Sequence, residues 1–300
     1  MLSINYNAIS TDAIALPGWD QMNVQAAVLR LDKIHSTISG NKWFKLRYYL
    51  EEAVSLNKKL VITFGGPWSN HLLATAAACR LVNLKAIGIV RGEEPAILSP
   101  TLKQVLQAGM ELIYISRSDY RMKTLPGELI DKDYYLIPEG GYGMHGAAGA
   151  ATILDRVPKN NYSHICCAVG TGTMMAGLIE GANDMQQVTG ISSQKNNYSL
   201  EENIQLLLGD GNRKPGTAFR IIHDYHFGGY GHHQPALLDF MNYFYQHTGI
   251  PSDFVYTAKL FYGINDLVLQ GYFPKGSKLL LIHSGGLQGN ASINNGTLIF

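Results

Sequence analysis

Short apolar runs recur along the chain, each closed by glycine or a polar residue and followed by a stretch with apolar positions three and four apart. Ala26 to Asp32, Leu60 to Phe64, Lys85 to Val90, Leu112 to Ile115, His164 to Val169 and Leu279 to Ile282 read as strands. After Ser39-Gly40-Asn41, the spacing of Phe44, Leu46, Tyr49, Leu50 and Val54 predicts a helix. Asn70 to Leu81, Pro100 to Ala108 (closed by Gly109) and Met174 to Ala182 predict three more. Short apolar strands alternating with helices predict an α/β fold of two lobes, each a mostly parallel twisted sheet flanked by helices. Three strands run directly into glycine-rich segments, at Gly65-Gly66-Pro67, Gly170-Thr171-Gly172-Thr173 and His283-Ser284-Gly285-Gly286. Parallel sheets place ligand sites at such strand ends. Residues 1–52 and 151–300 are expected to form a large domain and 53–150 a small one. Pro138 to Gly149 reads as a hinge, and the polar segment Thr189 to Glu202 as a loop.

Composition narrows the partners. Three hundred residues, 46% of them hydrophobic, bury enough for two domains. A formal net charge of +1, with no basic cluster, argues against nucleic acid and acidic membranes. Met1 to Asp12 lacks the pattern of a signal peptide. The most apolar region, Leu72 to Val90, is broken by Arg80, Asn83 and Lys85 and is no membrane span. Cys79, Cys166 and Cys167 sit in apolar surroundings and read as small buried hydrophobes, so a reducing cytoplasm is expected.

Chemistry concentrates at predicted helix starts. Lys42 follows the capping residues Ser39-Gly40-Asn41, where a helix presents free N–H groups and partial positive charge. Such a site disfavours an ammonium, and the resulting neutral amine suits Schiff-base chemistry. Gly170-Thr171-Gly172-Thr173 has the form of a phosphate cradle, although Met175 occupies the third position of a GxGxxG fingerprint. A tight turn without a ligand is the plainer alternative. Ser69-Asn70-His71 either caps its helix or lets that helix end bind a substrate carboxylate. Ser39 and Lys42 also spell S-x-x-K, but the K-T-G and S-x-N partners of that acyl-transfer chemistry are missing. His223, His226, His232 and His233 invite a metal, yet no H-E-x-x-H or cysteine pair accompanies them. Presentation of Tyr225 or Tyr230 to a pocket is the better reading of that glycine-rich segment.

Taken in order, Ser-Gly-Asn-Lys42 with Lys45, Gly-Gly-x-x-Ser69-Asn70-His71, Gly170-Thr-Gly-Thr173 and His283-Ser-Gly-Gly286 resemble a known group. It is the 1-aminocyclopropane-1-carboxylate deaminase / D-cysteine desulfhydrase family, pyridoxal-phosphate enzymes of the tryptophan-synthase-β fold. The resemblance runs from about Pro17 to Gly289. It implies that Lys42 is the Schiff-base lysine, and that Lys45, Gly170, Thr171, Gly172 and Thr173 hold the cofactor phosphate. It further implies that Asn70 meets the phenolic oxygen, Ser69 the substrate carboxylate and Cα proton, and Tyr230 and Tyr256 the reacting centre. A homodimer acting on a small amino acid is expected. The deaminases resembled carry a glutamate after the second tyrosine and a leucine after the histidine of His-x-Gly-Gly. Here Thr257 and Ser284 stand instead. A hydroxyl facing the pyridine nitrogen makes a weaker electron sink than a carboxylate would, which favours D-cysteine β-elimination over cyclopropane deamination. Pro67-Trp68 also departs from the family's smaller or amide residues, and the chain is short between Val90 and Glu139. A racemase on the same fold and a non-catalytic pyridoxal-phosphate-binding protein are the alternatives.

Overall fold

The computed structural model describes residues 4–209 and 218–300; the first three residues of the N-terminal segment read above lie outside it. The chain opens with β1 (Thr11–Ile14) and β2 (Gln25–Arg30), then α1 (Asn41–Ser55). Next come β3 (Leu60–Gly65), α2 (Asn70–Leu81), β4 (Lys85–Arg91), α3 (Pro100–Gln107) and β5 (Met110–Ile115). Two short helices, α4 (Arg117–Met122) and α5 (Gly127–Ile130), lead to β6 (Tyr135–Ile137) and α6 (Met144–Ala151). The remainder is β7 (His164–Val169), α7 (Thr173–Gly181), β8 (Gln187–Ser192), α8 (Leu200–Leu208), β9 (Ala218–Ile222), α9 (Pro235–Thr248), α10 (Thr257–Leu269) and β10 (Lys278–His283).

Among the described residues these strands form two sheets, ordered β1-β2-β10-β7-β8-β9 and β5-β4-β3-β6. Every pairing is parallel except β1 with β2. The two-lobed α/β architecture expected from the apolar runs is therefore what the chain adopts. Side chains alternate across a strand, so Cys166 and Cys167 serve opposite cores. Cys167 packs with Leu280, Leu178 and Ile204 under α7 and α8, while Cys166 packs with Leu281, Phe244 and Phe261 under α9 and α10. All three thiols are free and buried, and burial pushes those of Cys79 and Cys167 up to about 12. They behave as small hydrophobes.

Two local expectations are corrected. The stretch Pro138 to Gly149 is no hinge: it contains a 3-10 turn (Glu139–Gly141) and most of α6, whose Ala147 and Ala150 are buried with Phe44. Its glycines serve close packing, since a Cβ on Gly149 would fall 1.9 Å from the Phe44 carbonyl oxygen. The supposed loop from Thr189 to Glu202 begins with the last four residues of β8, a strand paired on both sides, and ends in the first turn of α8.

The carboxyl ends of β3, β7 and β10 converge with the amino ends of α1, α2, α7 and α10 around one cavity of about 720 Å³. Among the described residues, no helix is long and apolar enough to cross a membrane.

Candidate active site

The start of α1 is fixed by the turn after β10. The Asn41 N–H donates to the Ser284 carbonyl at 3.1 Å, and Gly40, at φ 70°, packs so close that a Cβ would lie 1.8 Å from that oxygen. His283 pins the same turn, its Nε2–H reaching the Pro251 carbonyl at 2.7 Å while Nδ1 accepts from the Gly285 N–H. No side chain caps α1, and Asn41 and Lys42 at its start line the cavity. The Lys42 ammonium donates to Asn41 Oδ1 at 3.1 Å and stands 5.9 Å from the Tyr256 ring centroid. Burial pushes the Lys42 pKa from 10.5 down to about 8, with the Asp253 carboxylate pulling the other way. Cofactor uptake by the apoprotein is therefore expected to quicken with pH and level off above about 8. A rate still climbing toward 10.5, the ordinary lysine value, would place the reacting amine elsewhere.

One helical turn on, Lys45 is 4% exposed, and among the described residues its ammonium reaches only the Gly140 carbonyl at 3.0 Å and Thr171 Oγ1 at 3.4 Å. Burial, then repulsion from Lys42, drives its pKa well below the ordinary range. A buried cation held by neutral oxygens alone is costly and calls for an anion. The neighbouring groups fit a phosphate: Gly170, Thr171 and Gly172 line the cavity, and α7 starts at Gly172 without a side-chain cap. Thr173 is buried behind them, its Oγ1 3.0 Å from that of Thr171, so it braces the cradle rather than lining it.

Ser69 immediately precedes α2. Its Oγ caps α2 by accepting from the Leu72 N–H at 3.2 Å, and it lines the cavity. The hydroxyl proton has no partner among the described residues, so it can still donate into the cavity. Asn70 Oδ1 is buried with no hydrogen-bond partner among the described residues, which fits a ligand-binding role. The tautomer of His71 follows from its bonds. The Thr63 hydroxyl donates to the Ile137 carbonyl at 2.7 Å, so its oxygen accepts from His71 Nε2–H at 2.8 Å. Nδ1 is left as a buried acceptor, and burial together with Lys42 and Lys45 keeps the ring neutral.

Tyr230 and Tyr256 meet edge to face, with ring centroids 6.0 Å apart, and both line the cavity. Burial raises both phenols, Tyr256 well above 10 with Tyr230 and Asp253 adding to the effect. Both phenols are therefore held in the protonated form. Tyr225 is not presented to this cavity; its hydroxyl donates to Asp266 at 2.7 Å. The histidines nearby are dispersed: His223 meets Glu201 at 2.8 Å, and His233 lies against Phe254. Among the described residues no group of three or more His, Cys, Asp or Glu is arranged to hold a metal.

Ser284 lines the cavity, and its hydroxyl has no hydrogen-bond partner among the described residues. Thr257 differs from expectation. It is fully buried, outside the cavity lining, and its hydroxyl donates to Asp253 Oδ1 at 2.7 Å. Asp253 carries no signal beyond that of a helix cap, and it does cap α10, accepting from the N–H groups of Val255, Tyr256 and Thr257. Yet its carboxylate also reaches the cavity wall, where a Cβ on Gly286 would lie 3.4 Å from Oδ1 and 2.9 Å from Asn70 Nδ2. Lys259 went equally unread; it is fully buried, with a pKa lowered by burial to about 8.

Comparison with known proteins agrees with this geometry. A family model described as pyridoxal-phosphate dependent enzyme matches residues 4–285. The chain belongs to that family and is an enzyme that uses pyridoxal phosphate. It is 30% identical over 289 residues, 90% of its own length and 86% of the relative's, to a putative 1-aminocyclopropane-1-carboxylate deaminase of Pyrococcus abyssi. It is 28% identical to the bifunctional D-cysteine desulfhydrase/1-aminocyclopropane-1-carboxylate deaminase of Arabidopsis thaliana, covering 84% of this chain and 70% of that protein. A crystal structure of an ACC deaminase homologue superposes with a TM-score of 0.79 at 27% identity, covering 94% of this chain and 90% of that one.

Proposed function

We propose that this enzyme deaminates a small amino acid, releasing ammonia and an α-keto acid, with Lys42 as the Schiff-base lysine. One observation carries the reading: the low-pKa amine of Lys42 and the anion-seeking ammonium of Lys45 lie one helical turn apart at a single cavity. Bound pyridoxal phosphate would supply an electron sink for the pair left when a bond to substrate carbon breaks, whether to the α-proton or within a strained ring. Lys45, Gly170, Thr171 and Gly172 hold its phosphate, with Thr173 behind. The Asn70 amide and the Ser284 hydroxyl offer polar contacts to the ring. Ser69 and the first amides of α2 hold the substrate carboxylate. The Lys42 amine would take a proton from substrate carbon, the α-proton of D-cysteine or, because 1-aminocyclopropane-1-carboxylate has no α-hydrogen, a ring methylene proton, and Tyr256 and Tyr230 would return a proton to the departing side of the substrate.

The names of the relatives weigh toward opening of 1-aminocyclopropane-1-carboxylate, which gives 2-oxobutyrate and ammonia. A second reading, β-elimination of D-cysteine to pyruvate, ammonia and sulfide, is favoured by the free hydroxyl of Ser284 at the cavity. Thr257, engaged by Asp253, lends that reading no support. Assays of keto acid release from both substrates test the proposal. Turnover on the order of 1 s⁻¹ or faster is expected for at least one of them. A holoenzyme that loads cofactor and releases no keto acid from either would contradict it, and exchange of the α-proton without ammonia release would identify a racemase. The free, buried cysteines accord with a cytoplasmic enzyme, and a homodimer is the assembly the family resemblance implies.

A further inference from the structure

Lys259 is a buried ionisable group for which the chemistry above has no use. It sits in the first turn of α10, where an ammonium is disfavoured, and it is fully buried. Its Nζ donates to the Gly229 carbonyl at 2.7 Å and more weakly to the Ser193 carbonyl at 3.4 Å. Neither acceptor is charged. Asp253 acts on Lys259 through space, but that carboxylate is engaged by three backbone amides and the Thr257 hydroxyl. An ammonium held in this way costs stability, and an apolar side chain of similar length would cost less. Stability therefore does not account for a lysine here.

Its main acceptor offers an account. Gly229 belongs to the turn Gly228-Gly229-Tyr230-Gly231, whose three glycines have φ of 95°, 113° and 69°. Few side chains restrain such a backbone, and three bonds within the segment, Gly228 N–H to His226 Nδ1, Gly229 N–H to His226 O and His232 N–H to Gly229 O, close it on itself. Tyr230, half exposed, projects from it onto Tyr256, which immediately precedes α10. Lys259 is thus the cross-link from α10 to the tyrosine turn and to the residue following β8.

We propose that Lys259 is a positioning residue, its ammonium fastening the Gly228–Gly231 turn to α10 so that Tyr230 is held against Tyr256 at the cavity. The proposal rests on the proton-donor reading of Tyr230 given above. Lys259→Met holoenzyme is expected to keep or raise its thermal midpoint, while the backbone amides of the turn exchange hydrogen about tenfold faster or more. With whichever of 1-aminocyclopropane-1-carboxylate and D-cysteine the wild type turns over, kcat falls about ten- to a hundredfold and KM changes little. Lys259→Gln, which keeps a donor, recovers part of the loss. In a Tyr230→Phe background, Lys259→Met costs little more, because both act through one hydroxyl. Unchanged exchange in the turn would overturn the proposal. So would a lowered thermal midpoint with faster exchange throughout, or losses that simply multiply. If neither amino acid is turned over, the functional reading fails by itself, and the exchange and melting data still decide the cross-link.

Discussion

Lys42→Ala is expected to lower keto acid release by about 10³-fold or more, because it removes both the amine proposed to bond the cofactor and the base proposed to take a proton from substrate carbon. The same substitution should abolish the absorbance band near the visible edge that marks the lysine-bound cofactor. The fold should survive, since the side chain is partly buried, carries a lowered pKa and makes one hydrogen bond, to its neighbour Asn41. An identical band in the variant would show that another lysine carries the cofactor.

Lys45→Met should act on cofactor retention rather than on the chemical step. In the wild type, the phosphate supplies the anion that this buried ammonium lacks. Methionine fills a similar volume, so the pocket keeps its shape while the charge is lost. Removing one partner of a buried, hydrogen-bonded charge pair weakens binding by about 10²-fold or more. Calorimetry of pyridoxal phosphate binding to the apoprotein reads this directly, and an unchanged Kd would move the phosphate away from Lys45 and Thr171. The thermal midpoint of the apoprotein should rise or hold, because burial penalises the Lys45 ammonium.

What the sequence disclosed follows the range of the forces involved. Lys42, Lys45, Ser69, Asn70 and Gly170 to Thr173 all lie within a turn of a helix start, and helix starts are written in local sequence. Asp253 and Lys259 are single charges in an ordinary helix-start segment. They matter because of distant partners, with Lys259 reaching residues 30 and 66 positions away. No local pattern encodes such a meeting.

Thr257 shows a subtler limit. Its place beside the second tyrosine is close to the cavity, but successive residues at a helix start point in directions about 100° apart. Tyr256 therefore faces the cavity, and Thr257 turns inward to Asp253. Glycine misled in a different way. The Pro138 to Gly149 stretch reads as flexible because glycine frees the backbone, whereas Gly149 is there to let α6 approach α1. The polar residues Thr189 and Ser192 suggest a loop, yet both are buried in the paired strand β8.

Three lysines, the partly buried Lys42 and the buried Lys45 and Lys259, have lowered pKa values, so a reactive amine alone does not single out Lys42. Position does: Lys42 shares a cavity with the end of α2 proposed to hold the carboxylate, Lys45 is the proposed phosphate ligand, and Lys259 lies outside the cavity lining. Borohydride reduction of the holoenzyme, followed by peptide mapping, tests that assignment most directly. One pyridoxyl label on Lys42 is the predicted result. A label on Lys45 or Lys259, or none on any lysine of an enzyme that carries its cofactor, would contradict it.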